Sequence, residues 1–288
     1  MPSTYAHYRL GMEVHDRISG DERRTIDAWP QLYRIGLHGP DILFYYRALQ
    51  RNPVNSLGYR IHEEPGEKFF KHAIEAVNSS WNRAASLSYT YGLLLHFALD
   101  VSCHGYVNRL TAEMNLTHAE IEVEFDRALM LKDGWNPVVH PLTGHIHPSM
   151  ENAEIIAPFY PTVSAEQIVK ALKGMKRDNK LLLCKNQVKR DLVHTLMRVS
   201  GNYKEMHGLI VNPAGNPACE ESNACLMQLY DHAMDRGIRF IKNLKGYLTD
   251  TETSCESLFC LAFNGEPADS RKGAESNHAY AVSETQPQ

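Results

Sequence analysis

Between residues 79 and about 106, apolar side chains recur at helical spacing through Leu87, Tyr91, Leu94, Leu95, Leu99 and Val101. No proline interrupts them, so the pattern predicts one long helix. A second helix starts at Thr117, whose hydroxyl can accept from the backbone N–H three residues on while Glu120 reaches back; this capping box opens a run to about Met130. The stretch 133–161 holds at least four of the fourteen prolines together with glycine and histidine, and reads as a loop crossing the surface. Ser164 with Gln167 marks a further helix start, and helical patterns continue over 191–199 and from 220 to about 248. From about 265 the chain turns small and polar, lacks the apolar content that offsets chain entropy, and is expected to be disordered. No internal repeat and no sustained period-two alternation occurs, which makes the fold class all-α. The expected organisation is a metal-binding helical core over 1–158, a helical region over 159–264 packed on or extending it, and a tail over 265–288.

Composition adds limits. Of 288 residues, 43% are hydrophobic, enough for a packed interior. The net charge of −4, with lysines and arginines scattered, provides no bulk attraction to nucleic acid or anionic lipid. Any phosphate binding must therefore be local, and no stable nucleic-acid complex is expected. No segment approaches ~18 uninterrupted apolar residues, so no transmembrane segment is expected. The start Met1–Tyr8 lacks a basic stretch followed by an apolar run. A cytoplasmic location is the expectation. The six cysteines include no CxxC pair and lie mostly beside apolar residues, as reduced thiols do, and no disulfide is expected. Fifteen histidines is the unusual count, because histidine is a costly core filler and a common metal ligand.

Their positions carry the chemistry. His96, Asp100 and His104 fall at i, i+4 and i+8 of the long helix. Each step rotates by only about 40°, so the three share one face. The residues between them are mainly apolar, which turns this polar stripe inward, where an unpaired carboxylate is expensive without a cation. His118 and Glu122 repeat the device on the second helix, and two such helices packed together would turn four to five ligands inward. A third element, Gly39-Pro40-Asp41, presents an acid directly before an apolar run, as a ligand or a base. His62 and His7 complete the candidate set, with His15, His38 and His72 in reserve.

Singly, each has a plainer reading: His96 as a hydrogen-bonded core histidine, Asp41 as a turn residue, His118–Glu122 as a solvated helix pair. Together they point to metal. His140, His145 and His147 lie in the proline-rich stretch and suit the surface or substrate contact, while His194, His207 and His232 read as structural. Tyr45, Tyr46, Phe44 and Trp135 either contact a substrate or pack. A helical HD-type phosphohydrolase is another reading, since His15-Asp16 supplies an adjacent dyad, but the dyad stands too early and lacks a matching upstream histidine.

Across residues 1 to about 125 the pattern resembles the zinc-dependent phospholipase C family, which shares an all-helical bundle and a trinuclear zinc cluster with the single-strand-specific nucleases. The resemblance implies that Asp41, a downstream histidine (His62, with His72 the alternative), His96 and Asp100 hold the first metal. His104, His118 and Glu122 would hold the second, and Asp100 would bridge toward a third. Secreted members complete the third site with an N-terminal tryptophan, which this chain, beginning Met-Pro-Ser, does not have; His7, with His15, stands in its place. His104 also follows Asp100 more closely than in those members, so two or three zinc ions are implied. Manganese or iron suits the carboxylate-rich positions as well. The implied activity is hydrolysis of a phosphodiester, of a small molecule or a phospholipid head group, by a metal-activated water that Asp41 orients or deprotonates. A nuclease or nucleotidase on the same site, and a non-catalytic helical protein with structural metals, are the alternatives.

Overall fold

A computed structural model describes residues 4–114, 116–249 and 257–266. It is 75% helical, with no strand among the described residues. Five helices lead in: α1 (Thr4–Arg17), α2 (Asp21–Ala28), α3 (Pro30–Gly36), α4 (Pro53–Glu63) and α5 (Gly66–Ser79). The long α6 (Arg83–Glu113) and α7 (His118–Lys132) follow, then the short α8 (Met150–Ile156). The chain continues with α9 (Ala165–Leu182), α10 (Gln187–Val199), α11 (Tyr203–Met206) and α12 (Glu220–Thr249).

Helix α6 is the axis. From Ser88 to Val101 it is buried without a break, and a helix buried on every face has to be surrounded. It starts later than its apolar pattern suggested, because the Asn82 side chain accepts from Ala85 N and caps it, while Ser79 closes α5 instead. On one side α3 lies against α6 at backbone contact: a Cβ on Gly36 would strike the Tyr89 carbonyl, and one on Gly92 the Tyr33 carbonyl. This crossing sets the turn after α3 directly over His96, one helical turn beyond Gly92. Opposite, Gly237 lets α12 approach Leu95. The expected capping boxes are present at Thr117, where α7 begins, and at Ser164, where α9 begins.

The stretch 133–161 is not the surface loop its prolines suggested. It contains α8, capped by Ser149 accepting from Asn152 N at 3.1 Å, and it buries Ile146, Ile155, Ile156, Phe159 and Tyr160. Lys176 Nζ on α9 donates to the carbonyls of Thr143 and Ile146 at 2.8 Å each, satisfying backbone groups that the loop turns away from water. The apolar side chains here follow no single period, because α6 and α9 dictate their burial.

One hydrophobic cluster takes side chains from Tyr5 through to Phe263. A smaller one joins Cys184, Val193, Met197 and Ile210 around α10. The chain returns over α5 and α6 through 257–266, where Gly66 N donates to the Leu261 carbonyl at 2.9 Å and Pro65 bridges Ala262. Residues 267–288, nearly all of the tail expected to be disordered, lie outside the described residues. No helix among the described residues is long and apolar enough to cross a membrane.

Candidate metal centre

Asp100 is a buried carboxylate ringed by four histidines. Its Oδ1 lies 3.3 Å from His7 Nε2 and 3.6 Å from His104 Nε2, and its Oδ2 lies 3.2 Å from His96 Nε2 and 3.9 Å from His62 Nε2. Next to it, His62 Nε2 sits 2.9 Å from Asp41 Oδ1. At the far end, Glu122 Oε1 lies 3.1 Å from both His104 Nε2 and His118 Nε2. The structure thus brings His7, Asp41, His62, His96, Asp100, His104, His118 and Glu122 into one continuous cluster drawn from α1, the Gly39–Tyr45 3₁₀ turn, α4, α6 and α7.

Local sequence explains the placement. The spacing on α6 delivers His96, Asp100 and His104 to one face. Gly39 has a φ of 47°, a left-handed backbone that suits glycine, and a Cβ there would run into the His96 ring. Only a bare backbone can turn there and still hand Asp41 to the cluster. Helix α1 is pinned by Asp126, which accepts from Tyr5 N at 2.9 Å and Ala6 N at 2.8 Å. These are orphan donors of the first helical turn, and the anchor sets the height of His7.

Ring orientation is fixed from behind. His62 Nδ1 donates to the Gly58 carbonyl at 2.7 Å, His96 Nδ1 to Leu37 at 3.2 Å and His104 Nδ1 to Phe263 at 2.9 Å. A carbonyl only accepts, so each Nδ1 carries the hydrogen, and in the neutral ring each Nε2 lone pair faces the cluster. This is the arrangement that prepares histidine as a metal ligand.

The buried charges act strongly on one another. Burial pushes the Asp100 carboxyl up, but His96, His104 and His7 hold it well below the usual range. For His104 burial opposes the charged ring, yet Asp100 and Glu122 raise it to about 9. His7 goes the other way, lowered by burial and by its stacked neighbour His96 at 4.3 Å between ring centroids.

A metal fits these residues. Three groups have donor atoms that lie within 4.8 Å of one another: His7, His96 and Asp100; Asp41, His62 and His96; and His104, His118 and Glu122. His96 Nε2 and His7 Nδ1 are buried nitrogens with no hydrogen-bond partner, an expensive state that a cation would relieve. A cavity of about 20 Å³ opens between His7, Asp100, His104 and Glu122, room for one water-sized body. The mixed imidazole and carboxylate donors suit zinc.

The sequence profile of the family described as zinc dependent phospholipase C matches residues 6–176, more than half of the chain and all eight of these positions. The chain belongs to the zinc-dependent phospholipase C family. Comparisons with curated proteins and with solved structures give no match. Membership implies hydrolase activity. The match stops inside α9, so α12 and the 257–266 segment that supplies the Phe263 carbonyl lie beyond it.

Other histidines fall elsewhere. His15 pairs with Asp27 at 2.7 Å at the outer end of α1, beside an exposed Asp16, and reaches none of the three groups. His72 Nε2 lies 2.9 Å from the Pro158 carbonyl, away from Asp41. His38 and His145 hydrogen-bond through their Nε2 atoms at 2.7 Å, with Tyr8 stacked on His145. His145 is thus half-buried against His38 and Tyr8. Phe44 packs between Tyr59 and His62, while Trp135 is exposed beside His140. Sequence reasoning missed Asp126, although the stripe His118, Glu122, Asp126 continues the same i, i+4, i+8 spacing. It also missed Phe263, whose contribution is a backbone carbonyl 159 residues from His104 and has no side-chain signature.

Proposed function

We propose that this protein hydrolyses phosphodiesters of the phospholipase C type, with a phospholipid head group or a small phosphodiester as substrate. The observation that carries the reading is Asp100, a single buried carboxylate with four imidazole nitrogens within 3.9 Å. In this reading Asp41, His62, His96 and Asp100 hold a first zinc, His104, His118 and Glu122 a second, and His7 with Asp100 a third. Zinc, when bound, supplies Lewis-acid charge and lowers the pKa of a coordinated water toward ~7. Asp41 then orients the attacking water and takes its proton, which the 12% exposure of its side chain, against 4% for Asp100, makes possible. His62 Nε2, 2.9 Å from Asp41 Oδ1, would be a ligand of the same ion, and its own Nδ1 bond to Gly58 keeps the ring aimed. His118, one-third exposed, marks a second edge open to substrate. Residues 1–158 carry the donors, and 159–264 cover and orient them.

The test is elemental analysis of the purified chain beside Asp100→Asn and His118→Ala, with the same samples assayed on a chromogenic bis-phosphodiester and on phosphocholine esters. Two or three metals per chain, lost together with hydrolysis on substitution, are expected. Metal without hydrolysis of either substrate class would leave the structural-metal reading, and protein that carries no stoichiometric metal would end the proposal.

A further inference from the structure

A second polar site lies on the other end of the turn that carries Asp41. Beyond Tyr45 the chain packs on α9, and between them opens a recess of about 470 Å³ lined by Tyr45, Tyr46, Arg47, Lys170, Lys173 and Arg177. Its size is that of a small-molecule pocket.

Four of those six side chains are cations. Lys170, Lys173 and Arg177 follow one another at i, i+3 and i+7, so α9 presents them on a single face. Arg47 faces them from the opposite wall. Among the described residues no acid forms an ion pair with Arg47, Lys170 or Lys173, and none of the lining residues is acidic. Arg177 has a partner, the half-buried Asp178 at 2.7 Å. Glu166, a turn before Lys170, accepts from the Ser164 hydroxyl at 2.7 Å and acts on Lys170 only through space, without an ion-pair contact. In a chain of net charge −4 four cations gathered around one recess, with only Asp178 ion-paired to any of them among the described residues, leave a local excess of positive charge, which an anion would offset.

The backbone is shaped for the same purpose. Arg47 has a φ of 49°, a left-handed conformation that a side-chain-bearing residue rarely adopts. It places the guanidinium 5.6 Å from the centre of the Tyr46 ring, at the mouth of the recess. At the floor, Gly174 lets α9 meet the chain directly, since a Cβ there would strike the Tyr45 carbonyl. Tyr45 is buried, with its hydroxyl 3.4 Å from Asn179 Nδ2.

We propose that this recess binds a phosphate group, borne by a soluble phosphate compound or by the head group of an anionic lipid. Arginine forks and lysine ammonium groups are the side chains that take phosphate oxygens, and the aromatic floor limits the site to one small group. The site is separate from the metal cluster, and its occupancy does not depend on the reaction proposed for that cluster.

The experiment is calorimetric titration of inorganic phosphate into the metal-loaded full chain, its Lys170→Glu/Lys173→Glu variant and Arg47→Gly. Both lysines are exposed, so the charge-reversed chain should fold; Lys170→Gln/Lys173→Gln gives a milder control, and Arg47→Gly keeps the left-handed backbone while removing the guanidinium. Binding weakened by roughly tenfold or more in the double reversal, and by less in the other two, with unchanged metal content, is expected from the loss of charge-assisted hydrogen bonds. Equal phosphate binding in all chains would overturn the proposal, as would phosphate binding that disappears entirely when the metals are removed. Co-sedimentation with phosphatidylcholine vesicles, with and without phosphatidate, separates the two sources. Retention by phosphatidate vesicles that the double reversal abolishes identifies a head group, and phosphate binding without such retention identifies a soluble compound. Retention by phosphatidate vesicles without any binding of inorganic phosphate would overturn the recess as a phosphate site.

Discussion

His104 Nδ1 donates to the main-chain carbonyl of Phe263 at 2.9 Å, across 159 residues of sequence. A ligand from the middle of the chain is thus aimed by a segment near its end. The same segment packs the Phe263 ring on Phe97 at 4.8 Å and against His62 at 5.4 Å. Orienting partners of metal-bound histidines matter to affinity by about 10–100-fold. A chain ended after Thr249 is expected to lose zinc from the His104, His118 and Glu122 group by about that factor while the Asp41 group keeps its metal, as competition with a chromophoric chelator would show. Phe263→Ala, which keeps the carbonyl but empties a fully buried ring site, should instead lower stability by about 3–5 kcal/mol in urea unfolding.

Protons should compete with zinc at His104. Its pKa in the metal-free protein is about 9, above the ordinary 6.5 of histidine, so the ring is charged at pH 7 and must lose a proton to bind metal. Apparent zinc affinity is expected to rise by about tenfold per pH unit up to pH 9 and then flatten, with proton release seen by calorimetry in buffers of different ionisation enthalpy. The sign for folding is opposite. The metal-free fold holds the full contribution of this group below pH 6.5 and loses it as pH rises through about 9. An affinity that stays flat between pH 7 and 9 would show that no proton is displaced from His104 in that range.

Gly39→Ala tests the turn. The substitution forces an L side chain into a φ of 47° and drives its Cβ into His96. The backbone alone should cost about 1–2 kcal/mol. Displacement of His96 should also empty the Asp41, His62 and His96 group, leaving the His104 group filled, and metal content with thermal melting would read the two effects separately.

Asp126→Ala should act on His7 without touching it. Removing the carboxylate frees Tyr5 N and Ala6 N, at about 1–3 kcal/mol for a lost charge-assisted cap. The expected metal content falls by one equivalent as α1 loosens. Unchanged content would remove His7 from the ligand set and leave two metals.

Several elements of this molecule are written locally. The buried stripe of His96, Asp100 and His104, the pair His118 and Glu122, and the turn before Asp41 all depend on spacing within one helix or turn, and spacing is visible in a sequence. The capping boxes at Thr117 and Ser164 are local for the same reason. Where burial depended on partners far along the chain, pattern reading failed. Ile146, Phe159 and Tyr160 looked like loop residues because no period marks them, yet α6 and α9 enclose them. His145, half-buried, packs onto His38 through a contact equally absent from any local pattern.

By itself, then, the sequence determined which faces of α6 and α7 carry donors and that the fold is helical, because both follow from the helical repeat and from the cost of burying unpaired charge. Only the tertiary structure decided that His62 rather than His72 meets Asp41, that Asp126 seats α1, and that the Phe263 carbonyl aims His104. Those choices are contacts between segments distant in sequence, set by how closely backbones approach at Gly36, Gly92 and Gly39, and no local pattern encodes a distance between helices.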